Sequence, residues 1–320
     1  MLMSAVVVTF EKFRQDLSIY YITFGIVLGQ TIFPVWFFQG MERMKYITFL
    51  NILAKLIFTI SIFLFVKEST DYFYVPLLNS LGFVIAGLLG LWVVFRDFGV
   101  VFMVPQMEDI KHQLEEGWYI FISTVAISLY TISNTFILGL FTNNTIVGYY
   151  SAVEKIVKSV QGLLGPISQT IYPYVSKLIS ESKEAGIRFL RKILFLIGVF
   201  SFILSTLIFT FSNSIVKIIF GSQFIESIIV LKILAFLPFI IGLSNIFGIQ
   251  TMLNLNYKKA FSTILILASI LNISLAIIMV PMFKHIGISI SVMLSEIFVT
   301  VSMFLYLQNK GVKIIEAKII

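Results

Sequence analysis

The 320-residue chain is 58% hydrophobic and only 12% charged, with a mean hydropathy of +1.00, 33 Phe and no Cys. A soluble domain carries about a quarter of its residues charged, so this composition excludes an ordinary water-facing surface and makes lipid the solvent. The net charge of +7 comes from cations scattered at the ends of apolar runs, which excludes a basic nucleic-acid track, and the absence of Cys excludes disulfides and thiolate metal sites.

The opening string M-L-M-S-A-V-V-V-T-F is too short to span a bilayer and lacks a basic signal-peptide region. It is expected to be the tail of a helix. Nine apolar runs of spanning length follow, at 17–38, 47–66, 74–95, 118–140, 146–173, 190–211, 227–253, 260–281 and 286–307. Backbone groups in hydrocarbon must bond within their own segment, so these runs predict helices; a β-barrel would show short alternating segments. The first run closes on P-V-W-F-F-Q-G-M-E-R-M-K (34–45), where interface aromatics give way to Arg43 and Lys45. A helix leaving the bilayer on its positive side has this form.

Sidedness follows from the cations between runs. One side receives Arg43, Lys45, Arg96, Lys111, Lys177, Lys183, Arg188, Arg191, Lys192, Lys258, Lys259, Lys310, Lys313 and Lys318; the other receives Lys12, Arg14, Lys67, Lys217 and Lys284. The richer side is expected to be cytoplasmic, and the C-terminus with it. The longest loop, 96–117, lies on that side and is expected to link a bundle at 1–95 to a six-helix bundle at 118–320. After Pro105 it is expected to form a short interfacial helix with Met107, Ile110 and Leu114 on one face. An echo between 37–49 and 248–261, each with Gln-x-Met before a cationic turn, suggests parallel halves.

Polar residues inside apolar runs mark candidate function, since a charge at the bilayer centre costs about 2.5–3.5 kcal/mol on insertion scales. Lys55 lies in mid-run with Thr48, Asn51 and Thr59 on the same helical face, which should point into protein or a wet cavity. In the fifth run Glu154, Lys158, Gln161, Gly165, Gln169 and Tyr172 form a second stripe, beside Lys155. The fourth adds Thr124, Ser128, Thr131 and Thr135; Glu226 and Lys232 open the seventh; Glu296 in the last run is a candidate ion or proton site. Together these predict a hydrated, cationic cavity suited to an anionic, sugar-bearing ligand. The plainer alternative pairs Glu154 with Lys158 at i+4, lets Lys155 snorkel, and bonds Ser and Thr to their own backbone.

Other signatures are absent. There is no G-x-G-x-x-G, P-loop, H-E-x-x-H or G-x-S-x-G, and neither a cofactor nor a metal is expected. His112 and His285 are expected to be solvated loop residues. G-I-V-L-G (25–29) is expected to be a close-packing seam.

The string 34–47 resembles the end of the fourth helix of Wzx-type O-antigen flippases, in the MOP exporter superfamily. G-Y-Y-S-A-V-E-K-I-V-K-S-V-Q-G (148–162), continuing to Lys177, is similar to that family's eighth helix. I-V-K-I-I-F-G-S-Q-F (215–224) resembles the loop before its tenth. The resemblance implies an all-α, MATE-like transporter of two six-helix bundles, of which this chain would lack the first two to three helices. It further implies flipping of undecaprenyl-pyrophosphate-linked oligosaccharide across a bacterial inner membrane by alternating access. On it, Lys55, Lys155 and Lys158, with Asn51, Glu154 and Gln161, line the substrate cavity, and Arg43 and Lys45 stand at the cytoplasmic mouth. Membrane lipids, a polysaccharide polymerase and chain-length proteins are the implied partners. The alternatives are another exporter of the superfamily (for drugs or other glycans), a membrane polysaccharide polymerase, a structural membrane scaffold and an inactive fragment.

Overall fold

A computed structural model describes residues 17–101, 103 and 105–314, and these form only helices and connecting turns. The opening string, with Lys12 and Arg14, and Lys318 lie outside the described residues. The chain divides into two compact units, one ending at Val104 and the other beginning at Pro105.

The first unit contains α1 (Leu17–Ile32), α2 (Val35–Gly40), α3 (Met44–Phe65) and α4 (Tyr74–Asp97). Pro34 splits the first predicted run: it has no N–H to give the helix, and it pushes Phe33 out of the α region. α4 packs on both α1 and α3, and glycines set both approaches. A Cβ at Gly29 would stand 2.5 Å from the Phe83 carbonyl carbon, and one at Gly82 would stand 2.8 Å from the Ala54 oxygen. The Ser80 hydroxyl uses that proximity to donate to the Ile22 carbonyl at 2.6 Å. Helices in lipid gain no hydrophobic force from meeting one another, so close backbone contact of this kind holds them.

The turn after α2 repeats elsewhere. Glu42 N–H donates to the Gln39 carbonyl and Arg43 N–H to the Phe38 carbonyl, with Glu42 left-handed at φ 54°. Asn256 (φ 61°) and Tyr257 donate to Leu253 and Met252, and Gly311 (φ 72°) and Val312 to Gln308 and Leu307, in the same 5→2 and 6→1 pattern. The predicted echo therefore exists as a helix-ending turn, but in a different register. Glu42 matches Asn256, so Gln39 falls opposite Leu253 rather than Gln250. A left-handed glutamate costs about 1–2 kcal/mol relative to glycine. Glu42→Gly is thus expected to raise the unfolding free energy of detergent-solubilised protein by about 1 kcal/mol, read from its thermal midpoint.

The second unit contains α5 (Met107–Phe141), α6 (Asn144–Gly162), α7 (Leu164–Glu181), α8 (Lys183–Phe220), α9 (Ser227–Leu234), α10 (Leu237–Asn245), a π-helical segment (Ile246–Leu253) and α11 (Lys258–Asn309). The predicted separate interfacial helix after Pro105 is instead the first part of α5. Its turn is fixed by Asp109 accepting from the Gln106 N–H, and its helix runs unbroken into the membrane segment. Breaks follow proline: α6 ends at Gly162 and α9 at Leu234, four residues before Pro166 and Pro238, whose rings would strike those carbonyls. Gly221, at φ 84°, ends α8.

Among the described residues, seven helical segments are long and apolar enough to cross a membrane. One of them, Lys258–Asn309, is two predicted spans joined across a kink at Lys284 (φ 49°, ψ −126°). The predicted run 146–173 is helical as α6 and α7 but is diluted by its own polar stripe. Side chains such as Ile218 (83% exposed) and Phe63 (78%) cover the outside, as lipid-facing surfaces require. Within the second unit the cations sort by end. Arg191 donates twice to the Lys313 carbonyl and Lys258 pairs with Glu116 at one end; Lys217 and Lys284 lie at the other.

Candidate functional site

Tyr150, Glu154, Val157, Lys158 and Gln161 follow one another at i, i+4, i+7, i+8 and i+11 on α6, so they share one face of that helix. That face closes a cavity of about 210 Å³ inside the second unit. Thr131 and Asn134 of α5 form the opposite wall, with Leu234, Leu237 and Ile241 of α9–α10 and Val292 and Glu296 of α11 completing it. A second cavity, of about 190 Å³, shares Ile127, Ile241 and Glu296 with the first and runs on past Ser244, Asn245, Phe261 and Met303. Glu296 therefore stands where the two adjoin. One apolar cluster around Tyr150, Val157 and Leu234 and another around Phe261, Val299 and Met303 contribute residues to the two cavities in turn.

Lys158 Nζ lies 3.0 Å from Glu154 Oε1, the lysine side chain half exposed and the glutamate 18% exposed. The Tyr150 hydroxyl, on a ring only 1% exposed, is hydrogen-bonded to the same carboxylate. One cation and one hydroxyl thus hold this carboxylate inside the bundle. Glu296 is 8% exposed and has an interaction of its own. At the far side of the second cavity lies a neutral network. Ser168 Oγ donates to Asn245 Oδ1 at 2.9 Å, and Gln250 Nε2 donates to the Ser168 carbonyl at 3.0 Å and to its Oγ at 2.9 Å. This ties α7 to the π segment.

The structure thus gathers Glu154, Lys158, Gln161, Thr131 and Glu296 around one space. Lys155 is exposed and does not line it. Thr124 and Thr131 both donate to carbonyls one turn back. In the first unit, Ile47, Leu50 and Ala54 are the buried residues of α3, while Thr48, Lys55 and Thr59 are exposed and Asn51 is half-buried. The Lys55 stripe is therefore left uncovered by its own unit. Arg43 and Lys45 are exposed at the turn between α2 and α3, Lys45 lying over the Tyr46 ring.

His285 corrects the expectation of a solvated loop. It is only 7% exposed, its Nε2 lies 3.3 Å from the Glu226 carbonyl and its ring is edge-on to Tyr149. The kink at Lys284 turns the chain so sharply that this residue is drawn into the bundle end. His112 is exposed, on α5 rather than in a loop. Asn134, 2% exposed, and Gln250, fully buried, went unsingled in the sequence. Each is an amide inside a predicted span, and a buried amide in a bilayer was the available signal.

A polar, charged space inside an apolar helical bundle, in a chain with repeated membrane-spanning helices, defines a multi-pass helical membrane protein of the MATE-like fold. Solved structures agree on the fold. The chain superposes with a TM-score of 0.77 and 12% identity on an outward-facing multidrug resistance MATE family transporter of the MOP superfamily, over 98% of this chain and 74% of that one. With a MATE in complex with MaL6 the TM-score is 0.74 at 11% identity, over 92% and 68%. The chain belongs to the polysaccharide biosynthesis protein family, whose model matches residues 2–179. It is 35% identical over 283 residues to the "Putative O-antigen transporter" of Escherichia coli (strain K12), covering 88% of this chain and 68% of that protein. A protein of the same name from Shigella dysenteriae is 27% identical, over 86% and 69%. The "Probable low-salt glycan biosynthesis flippase Agl15" of Haloferax volcanii is 23% identical, over 91% and 63%.

Proposed function

We propose that the chain moves lipid-linked polysaccharide repeat units, of the undecaprenyl-pyrophosphate-linked O-antigen type, from the cytoplasmic to the outer leaflet of a bacterial inner membrane. The observation that carries this reading is the charged, amide-lined cavity inside the second unit of a chain whose relatives are named for O-antigen transport and glycan flipping. Sugars need hydroxyl and amide partners, and a pyrophosphate needs cations. Lys158, half exposed beside Glu154, has donors to spare for such a group, and Lys55 is a cation uncovered on its own unit. Lys155 on the second unit is the third candidate for the headgroup, and Asn51 on the first, one turn before Lys55, is a candidate partner for the substrate. Arg43 and Lys45 recruit the headgroup at the cytoplasmic mouth, and the cation-rich ends support a cytoplasmic C-terminus. Glu296, which lines both cavities, is our candidate to take up a proton or ion as the chain alternates its access. The polymerase and chain-length proteins act on the delivered product.

Replacing Lys55 or Lys158 by Ala is expected to reduce surface O-antigen at least tenfold, per amount of variant protein in the membrane, in a complementation assay in cells lacking their own flippase. Normal O-antigen from both variants sinks the assignment of these lysines.

A further inference from the structure

The groups left without a partner at the α6 cavity are neutral amides. Among the described residues, Asn134 Oδ1 and Gln161 Nε2 are buried and have no hydrogen-bond partner. The carboxylates beside them are engaged: Glu154 by Lys158 and Tyr150, Glu296 by an interaction of its own. A buried amide atom without a partner is costly, and the terminal torsion of Asn or Gln is soft enough to turn that atom toward the cavity face. One free acceptor, one free donor and an apolar wall of Val157, Leu237, Ile241 and Val292 then face one space.

We infer that this cavity is a subsite for the acetamido group of an N-acetylated amino sugar. The acetamido N–H donates to Asn134 Oδ1, its carbonyl accepts from Gln161 Nε2, and its methyl lies against the apolar wall. A plain hexose can meet the two amides only through hydroxyls, and it brings no methyl to the apolar wall. A uronic acid would bring a third carboxylate beside Glu154 and Glu296, where Lys158 is already shared. The volume of about 210 Å³ falls below the range of drug-sized pockets, and suits one sugar unit rather than a chain. The inference rests on the glycan-flippase reading and deepens it, naming what one subsite recognises.

The test uses the full chain in lipid nanodiscs and saturation-transfer NMR with free N-acetylglucosamine, glucosamine and glucose as probes. Saturation of the acetamido methyl at least fivefold above any glucose or glucosamine proton is expected. Gln161→Glu replaces the donor with an acceptor at a half-buried site and should bring that signal down to the glucose level in protein that remains monodisperse on size exclusion. Asn134→Leu should do the same where it folds; Gln161→Glu decides the matter where it does not. Equal signals from all three sugars, stronger binding of cationic glucosamine, or an unchanged methyl signal in Gln161→Glu each overturn the subsite. A parallel vesicle assay follows lipid-linked glycans with and without an acetamido sugar. Acetamido binding without movement of either glycan would defeat the flippase reading and leave the subsite standing. Movement of both glycans at equal rates, without acetamido binding, would defeat only the subsite.

Discussion

Gly287→Val is expected to abolish recovery of folded protein, giving aggregate or no monodisperse peak on size exclusion in detergent. A Cβ at position 287 would stand 2.3 Å from the Met279 carbonyl oxygen and 2.6 Å from its carbon. Both are backbone atoms, so no side chain can turn aside to relieve the clash. Met279 and Gly287 flank the kink at Lys284, where α11 folds back so tightly that its two arms touch main chain to main chain. Overpacking a core usually costs about 1–3 kcal/mol, and a clash against fixed backbone lies at or beyond the top of that range. The kink also places His285 against Glu226 and Tyr149, so opening it uncouples α9 and α6 from this end of the bundle. Gly165→Ala is the control. Apart from its chain neighbours, nothing among the described residues lies within 4 Å of its added methyl, so the variant should be recovered at about the parent yield. Equal yields of the two variants would refute the account of the hairpin.

The same contrast shows what the sequence could convey. The breaks at Pro34, Pro166 and Pro238 follow from local proline chemistry, yet the predicted runs 17–38, 146–173 and 227–253 pass through them; the apolar segments and the α6 polar stripe are local periodicities and were legible. The partners of that stripe were not. Thr131 and Asn134 share a wall because of how α5 rotates against α6, and Glu296 joins them only because α11 folds back at Lys284. Nothing within a run of Ile, Leu and Phe announces that rotation. The Gln-x-Met echo misled by three residues for a related reason. The repeated object is a backbone turn needing a left-handed residue, which Glu42, Asn256 and Gly311 supply with unlike side chains. Lys55 marks the other limit. Its helical face was readable, but its own unit provides no cover for it, so its role has to be found by substitution.

Removing one member of the Glu154–Lys158 pair should be more damaging on the lysine side. In Lys158→Met, the Glu154 carboxylate, 18% exposed, retains only the Tyr150 hydroxyl inside the bundle. Stripping the partner from a fully buried charge costs about 3–5 kcal/mol. Partial exposure of this pair lowers the expectation to about 1–2 kcal/mol. In Glu154→Gln, by contrast, the half-exposed ammonium can swing toward water, and the loss should stay below about 1 kcal/mol. The double variant Glu154→Gln with Lys158→Met should regain most of the stability lost by Lys158→Met, because no uncompensated charge is left. Thermal midpoints of the four proteins complete the cycle, and additive losses would show that the two groups are not coupled. Transport then separates the roles. A lysine that only neutralises Glu154 is dispensable once the glutamate is gone, so the double variant would flip glycan normally. A lysine that grips the anionic headgroup is not, and the double variant should be stable yet at least tenfold slower. A stable and inactive double variant is the expected result, since Lys158 exposes half of its side chain beside a carboxylate that needs only one of its protons.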